Sequence, residues 1–168
     1  TNDLWRNDNE TGEWNLVRGP SGGEDDDGSP RPRMYSAGNV VTGPKGRQEL
    51  VIFGGWDTGA PGSGGTFLDD VWVYDISDNT WTMLDLKLPY PVSRHTCDLI
   101  YSDDDSGDKI VIQTFRCDRS VLVYDAVSRT LSEQATTGPS PNGLSMICST
   151  PSSVSPLVLY FGGSTKTQ

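Results

Sequence analysis

Residues 48–84, QELVIFGGWDTGAPGSGGTFLDDVWVYDISDNTWTML, decide how this chain folds. They pass from an apolar strand ending in Gly54-Gly55, through a Gly-rich loop, into a strand of alternating large residues. A polar turn and a last strand opened by Trp81 follow. The second half of the stretch recurs. Asp70-Val71-Trp72-Val73-Tyr74-Asp75 followed by Trp81 matches Asp3-Leu4-Trp5-Arg6-Asn7-Asp8 followed by Trp14, and more weakly Ser120-Val121-Leu122-Val123-Tyr124-Asp125 followed by Leu131. In each copy the two bulky residues stand nine positions apart. Shared spacing of this kind marks a repeat array.

The copies are offset by 67 and 50 residues, and Val51-Ile52-Phe53-Gly54-Gly55 returns as Leu159-Tyr160-Phe161-Gly162-Gly163. The pattern resembles the kelch repeat, a unit of roughly 50 residues that forms one four-stranded blade of a β-propeller. The likeness is fullest over residues 48–84, where the Gly pair, Tyr74 and Trp81 all stand at signature positions. The third copy departs from it: Thr114-Phe115-Arg116 replaces Phe-Gly-Gly, and Leu131 replaces the Trp. Each signature residue has a physical role. Glycine reaches backbone conformations closed to other residues and permits close approach at a crowded centre. Tyr74 and Trp81 are large bodies suited to filling the space between blades.

The resemblance implies an all-β, kelch-type propeller segment of about three blades' worth of four-stranded antiparallel sheets. Residues 1–17 supply half a blade, 34–86 a blade, 93–135 a second blade and 143–168 another half. The halves complement each other, strands three and four lying at the start and strands one and two at the finish. Propellers close with typically four to eight blades, so completion is expected. A second copy would give a six-bladed ring with two-fold symmetry; additional blades from the same or another chain would serve equally.

Composition agrees with strands and turns: hydrophobic content is 34%, with 19 Gly and 11 Pro. No extended helical period and no apolar run of the roughly 20 residues needed to span a membrane is present, nor is a signal-peptide pattern at Thr1. A formal net charge of -10 argues against nucleic acid as partner, because phosphate recognition needs clustered Lys and Arg. Cys97, Cys117 and Cys148 form no CxxC pair, which removes the common zinc signatures. Buried, reduced thiols are expected, with a Cys97–Cys117 bridge left open.

Loops after the second and fourth strands of each blade share one face, at residues 18–33, 56–67, 86–94, 116–119 and 136–142, and long loops on a rigid scaffold are the usual place for binding. Trp56 with Asp57 opens a Gly-rich loop there, and Arg33, Arg94, His95 and Arg116 lie at strand ends beside it. These six form the candidate binding site for a protein partner, the cations suiting a carboxylate or acidic peptide. The competing expectations are that Trp56 folds back on its own blade and that the arginines pair with nearby Asp.

No catalytic or cofactor site is expected. Kelch-type galactose oxidase binds copper with more than one His and the nitrile-forming specifier proteins hold iron with Glu, Asp and His, whereas His95 is the single histidine here. Read from Asp103 or Asp104, the run at 103–105 misses the EF-hand register, and both it and the run at 24–27 are expected as solvated turn charge. Asn9-Glu10-Thr11 is a formal glycosylation sequon. The functional expectation is a non-catalytic protein-binding or scaffold module. The alternatives are a structural subunit contacting through blade edges and part of a kelch-propeller enzyme whose axial site is completed by other sequence.

Overall fold

The computed structural model describes residues 1–20, 28–100, 107–116, 119–139, 145–152 and 157–164. Cys117 and the acidic runs at 103–105 and 24–27 lie outside these. Among the described residues, twelve strands fall into four antiparallel sheets. A leading hairpin pairs β1 (Leu4–Asn7) with β2 (Trp14–Arg18). A first blade follows with β3 (Ala37–Thr42), β4 (Gln48–Asp57), β5 (Thr66–Asp75) and β6 (Thr80–Val92) in sequential order. A second blade has β7 (Thr96–Ile100), β8 (Lys109–Gln113), β9 (Ser120–Asp125) and β10 (Thr130–Ala135), again in order. A trailing hairpin joins β11 (Ser145–Pro151) to β12 (Val158–Ser164).

The first strands of successive units, β3, β7 and β11, lie side by side. This places them innermost, with the sheets fanning outward as in a propeller. The core sits between the two complete blades: Val41, Val51, Phe53 and Val71 of the first meet Leu99, Ile110, Ile112 and Tyr124 of the second. Phe53 meets Tyr124 edge-to-face at 5.4 Å between ring centroids. Polar locks flank this core, since Arg129 Nη2 donates to Glu49 Oε1 at 2.7 Å and the Thr42 N–H donates to Asp108 Oδ2 at 2.6 Å.

The repeat seen in the sequence recurs in the hydrogen bonds of its copies. Trp72 Nε1 donates to Asp70 Oδ2 at 2.8 Å, and in the leading hairpin Trp5 Nε1 donates to Asp3 Oδ2 at 2.5 Å. Asp8, Asp75 and Asp125 each turn one Oδ1 back onto backbone N–H groups of the next turn, the Asx geometry that fixes a hairpin. Gly54 explains its own identity: its φ is +47°, and a Cβ there would lie 2.8 Å from the carbonyls of Leu68 and Val92.

Two expectations need correction. The register pairs Ile52 with Trp72 and Ile112 with Leu122, so Gln113-Thr114-Phe115 stands in place of Phe53-Gly54-Gly55, one residue earlier than the sequence alignment places it. Residues 86–94, expected as a loop, are largely strand, because β6 runs through to Val92. Leu84, Leu86, Leu88, Tyr90 and Val92 alternate onto the core. Pro89 and Pro91 are tolerated because β6 is the outer edge strand, where no ladder N–H is required.

Candidate functional site

The entry to each innermost strand carries the same device. Tyr35, Arg94 and Met146 precede β3, enter β7 and open β11, and all three hold positive φ, at 57°, 56° and 58°. A side chain in this left-handed region costs on the order of 1 kcal/mol. Main-chain bonds between units offset that cost. The Arg94 N–H donates to the Tyr35 carbonyl at 3.0 Å, and the Met146 N–H donates to the Arg94 carbonyl at 3.1 Å. The resulting relay steps from unit to unit around the axis.

On this relay the side chains assemble a column. Arg94 lies over the Tyr35 ring with its guanidinium carbon 4.7 Å from the centroid, and Tyr35 stacks on Trp56 at 6.4 Å with 18° between planes. Trp56 is fixed from both sides. Its backbone exchanges hydrogen bonds with Met34 in both directions, 2.8 and 2.7 Å, and a Cβ on Gly65 would strike its indole. Trp56 is therefore half-buried against its own hairpin, as the competing expectation had it, while Tyr35, 46% exposed, is the aromatic that faces solvent. A second cation–aromatic group forms in the second blade: Arg116, at the position equivalent to Trp56, lies 5.5 Å from the Tyr90 ring and 5.3 Å from that of Phe115.

The six residues singled out from sequence thus separate. Trp56, Arg94 and Arg116 belong to these two groups. Asp57 is held at the loop base, accepting from Gly59 N–H at 2.8 Å and pairing with Arg31 at 3.5 Å. Arg33 is not on a rim. Its side chain is 6% exposed and grips Asp70 with both Nη atoms, at 2.7 and 2.9 Å, while Nη1 also donates to the Gly54 carbonyl. His95 is likewise scaffold, 7% exposed at the start of β7. Tyr35, Tyr90, Phe115 and Met146 were missed. Only a repeat alignment centred on the strand entries, rather than on the Gly pair, brings Tyr35, Arg94 and Met146 into one column.

Burial pushes the His95 imidazole down to about 4, the facing Phe53 carbonyl offsetting only part of the effect. A folded-state value below the unfolded one means that the unfolded chain binds more protons between the two. His95 thus contributes stability above about pH 6.5 that is lost as pH falls toward 4, by about 3 kcal/mol at most. Asp98, whose carboxyl burial raises despite a 2.9 Å hydrogen bond from Ser149 Oγ, works in the opposite direction. The His95 contribution is therefore read as a difference: His95→Gln is expected to flatten the fall in unfolding free energy between pH 6.5 and 4 relative to the parent. Parallel pH profiles for the two proteins would refute the assignment.

Among the described residues no group of three or more His, Cys, Asp or Glu is placed to hold a metal ion. Cys97 and Cys148 are free thiols.

Four-stranded antiparallel sheets, fanned from adjacent inner strands and locked by an aromatic pair, define the class as a β-propeller segment. A family model described as the Kelch motif matches residues 46–85, so the first blade carries a kelch repeat. Among solved structures, one titled "Structure of YjhT" is similar with a TM-score of 0.55 at 15% identity, a likeness of fold. The alignment covers 82% of this chain and 45% of that one, so the present chain spans about half its length. A comparison with curated proteins returned no match.

Proposed function

We infer that the chain acts as a non-catalytic protein-binding module through the face carrying Tyr35, Trp56, Arg94 and Arg116. The observation that supports this most is the Arg94–Tyr35–Trp56 column, seated on the backbone relay. Aromatic and Arg side chains dominate interface hot spots, and groups whose freedom is already spent lose little more on binding. The Arg94 and Arg116 cations each suit a carboxylate of an acidic peptide.

The test is to select peptides from a display library against the immobilised chain and measure the winners against Tyr35→Ala and Arg94→Ala. A loss of about tenfold or more in each variant, with Lys87→Ala unchanged, is expected, since hot-spot truncations cost more than about 1 kcal/mol. Equal affinity for all of them would sink the proposal.

A second reading is favoured by a different observation. The trailing hairpin exposes Leu157, Leu159 and Phe161, and the leading hairpin exposes Trp5 and Trp14. Apolar surface of this kind, beside strands that pair on one side among the described residues, supports assembly through blade edges.

A further inference from the structure

We propose that the junction between the inner strands β7 and β11 is a proton-operated latch: Asp98, as a neutral carboxylic acid, donates to the main chain of β11, and its ionisation loosens the trailing hairpin. The latch is independent of what the face carrying Tyr35 binds.

The two junctions between inner strands compare position by position. The relay makes Tyr35, Arg94 and Met146 equivalent, and the ladders agree, since Asn39 pairs with Val51 and Asp98 with Val111. Asn39 and Asp98 thus hold the same place, as do Cys97 and Ser149. At the first junction Asn39 Nδ2 donates to the Cys97 carbonyl at 3.4 Å. At the second, Ser149 Oγ donates to Asp98 Oδ1 at 2.9 Å. By this equivalence Asp98 Oδ2 takes the place of Asn39 Nδ2, and its counterpart acceptor is the Ser149 carbonyl.

A carboxylate cannot act there, because it only accepts. Asp98 is 4% exposed, and its Oδ2 is buried with no hydrogen-bond partner among the described residues. Ionised, that oxygen is a buried acceptor set against another acceptor. Protonated, it is nearly isosteric with the Asn39 amide and supplies the donor that the first junction already has.

The surrounding groups leave the charge uncompensated. Lys109, opposite Ile100 on the same face of β8, also stands opposite Asp125 and acts on it. The trailing hairpin brings Ser149 and, across its ladder, Tyr160; Cys148 of β11 is exposed. β3 carries no titratable side chain. On β7 itself, the Cys97 thiol is raised by burial and then by the Asp98 charge, and His95 meets the Phe53 carbonyl of the first blade. Burial raises the Asp98 carboxyl, with the Ser149 and Thr96 hydroxyls offsetting only part of the effect. A value raised in the folded chain means that folding tightens the hold on the proton. The latch is therefore complete below the ordinary value of 3.8 and is lost as pH rises through the raised one. Because β11 carries Met146, whose N–H bonds to the Arg94 carbonyl, the latch sets the third seat of the relay.

Hydrogen exchange read by NMR between about pH 4 and 7.5 tests it, with each amide corrected for intrinsic exchange and referenced to Val73 in the first blade, so that global changes, the His95 titration included, cancel. In the parent, protection of the Met146 amide is expected to fall several-fold as pH rises. Asp98→Asn should hold it at the acid level throughout. Asn39→Asp should confer a smaller fall on the Arg94 amide, which spans the first junction, Asn39 being only half-buried. A Met146 profile in Asp98→Asn that still follows the parent, or lies below it, overturns the proposal, and so does an Arg94 amide indifferent to pH in Asn39→Asp. Carboxyl NMR of the parent gives a reading that needs no variant: titration of Asp98 at or below the ordinary value overturns the latch, and titration above it coincident with the fall in Met146 protection supports it.

Discussion

Arg33→Ala is expected to lower the free energy of unfolding by about 3–5 kcal/mol, the cost of leaving a desolvated charge without its partner. The variant strands the Asp70 carboxylate with the Trp72 indole as its remaining side-chain donor and leaves the Gly54 carbonyl without the guanidinium. Against a domain stability of roughly 5–15 kcal/mol, such a loss brings the first blade close to unfolding. Arg33→Lys should recover little, because an ammonium cannot span both carboxylate oxygens. Urea unfolding of the parent, Arg33→Ala, Asp70→Asn and the double variant forms a cycle in which the double variant costs clearly less than the sum. Additive losses, or an Arg33→Ala cost below about 1 kcal/mol, would show the pair to be incidental.

Phe53→Ala is expected to cost a similar 3–5 kcal/mol for a different reason: it opens a cavity in the wall between the two complete blades and deletes the contact with Tyr124. The blades should then unfold less cooperatively, seen as a lower denaturant slope together with a lower midpoint. Phe161→Ala makes the control. It removes the same ring from the equivalent position of the trailing hairpin, where the side chain is exposed, so its cost should stay within about 0.5 kcal/mol. Equal costs at the two positions would contradict the assigned core.

The repeat was legible in the sequence because its markers are covalent neighbours. An Asp two residues before a Trp, with an Asp closing the strand, is visible in one dimension, and in the structure the first Asp receives the indole N–H and the second caps the turn. Residues whose role depends on strands distant in the sequence were harder to place. Arg33 and His95 look like rim cations when read locally. Their neighbours, Asp70 and Phe53, come from strands far along the chain, and burial against those strands turns both into scaffold. Tyr35 carried no local signal, since an isolated Tyr before a strand is ordinary until its partners Arg94 and Trp56 are brought beside it. Pro89 and Pro91 concealed a strand because proline marks an edge as readily as a loop.

The relay through Tyr35, Arg94 and Met146 bears on how such a surface diversifies. Each seat is fixed by main-chain bonds that every residue other than proline can supply, so the side chain displayed there is nearly decoupled from what holds its blade. A tyrosine, an arginine and a methionine already occupy equivalent seats in consecutive units. A lineage can therefore exchange the chemistry of the aperture one residue at a time, within the bounds of left-handed backbone, while selection on the interior stays undisturbed.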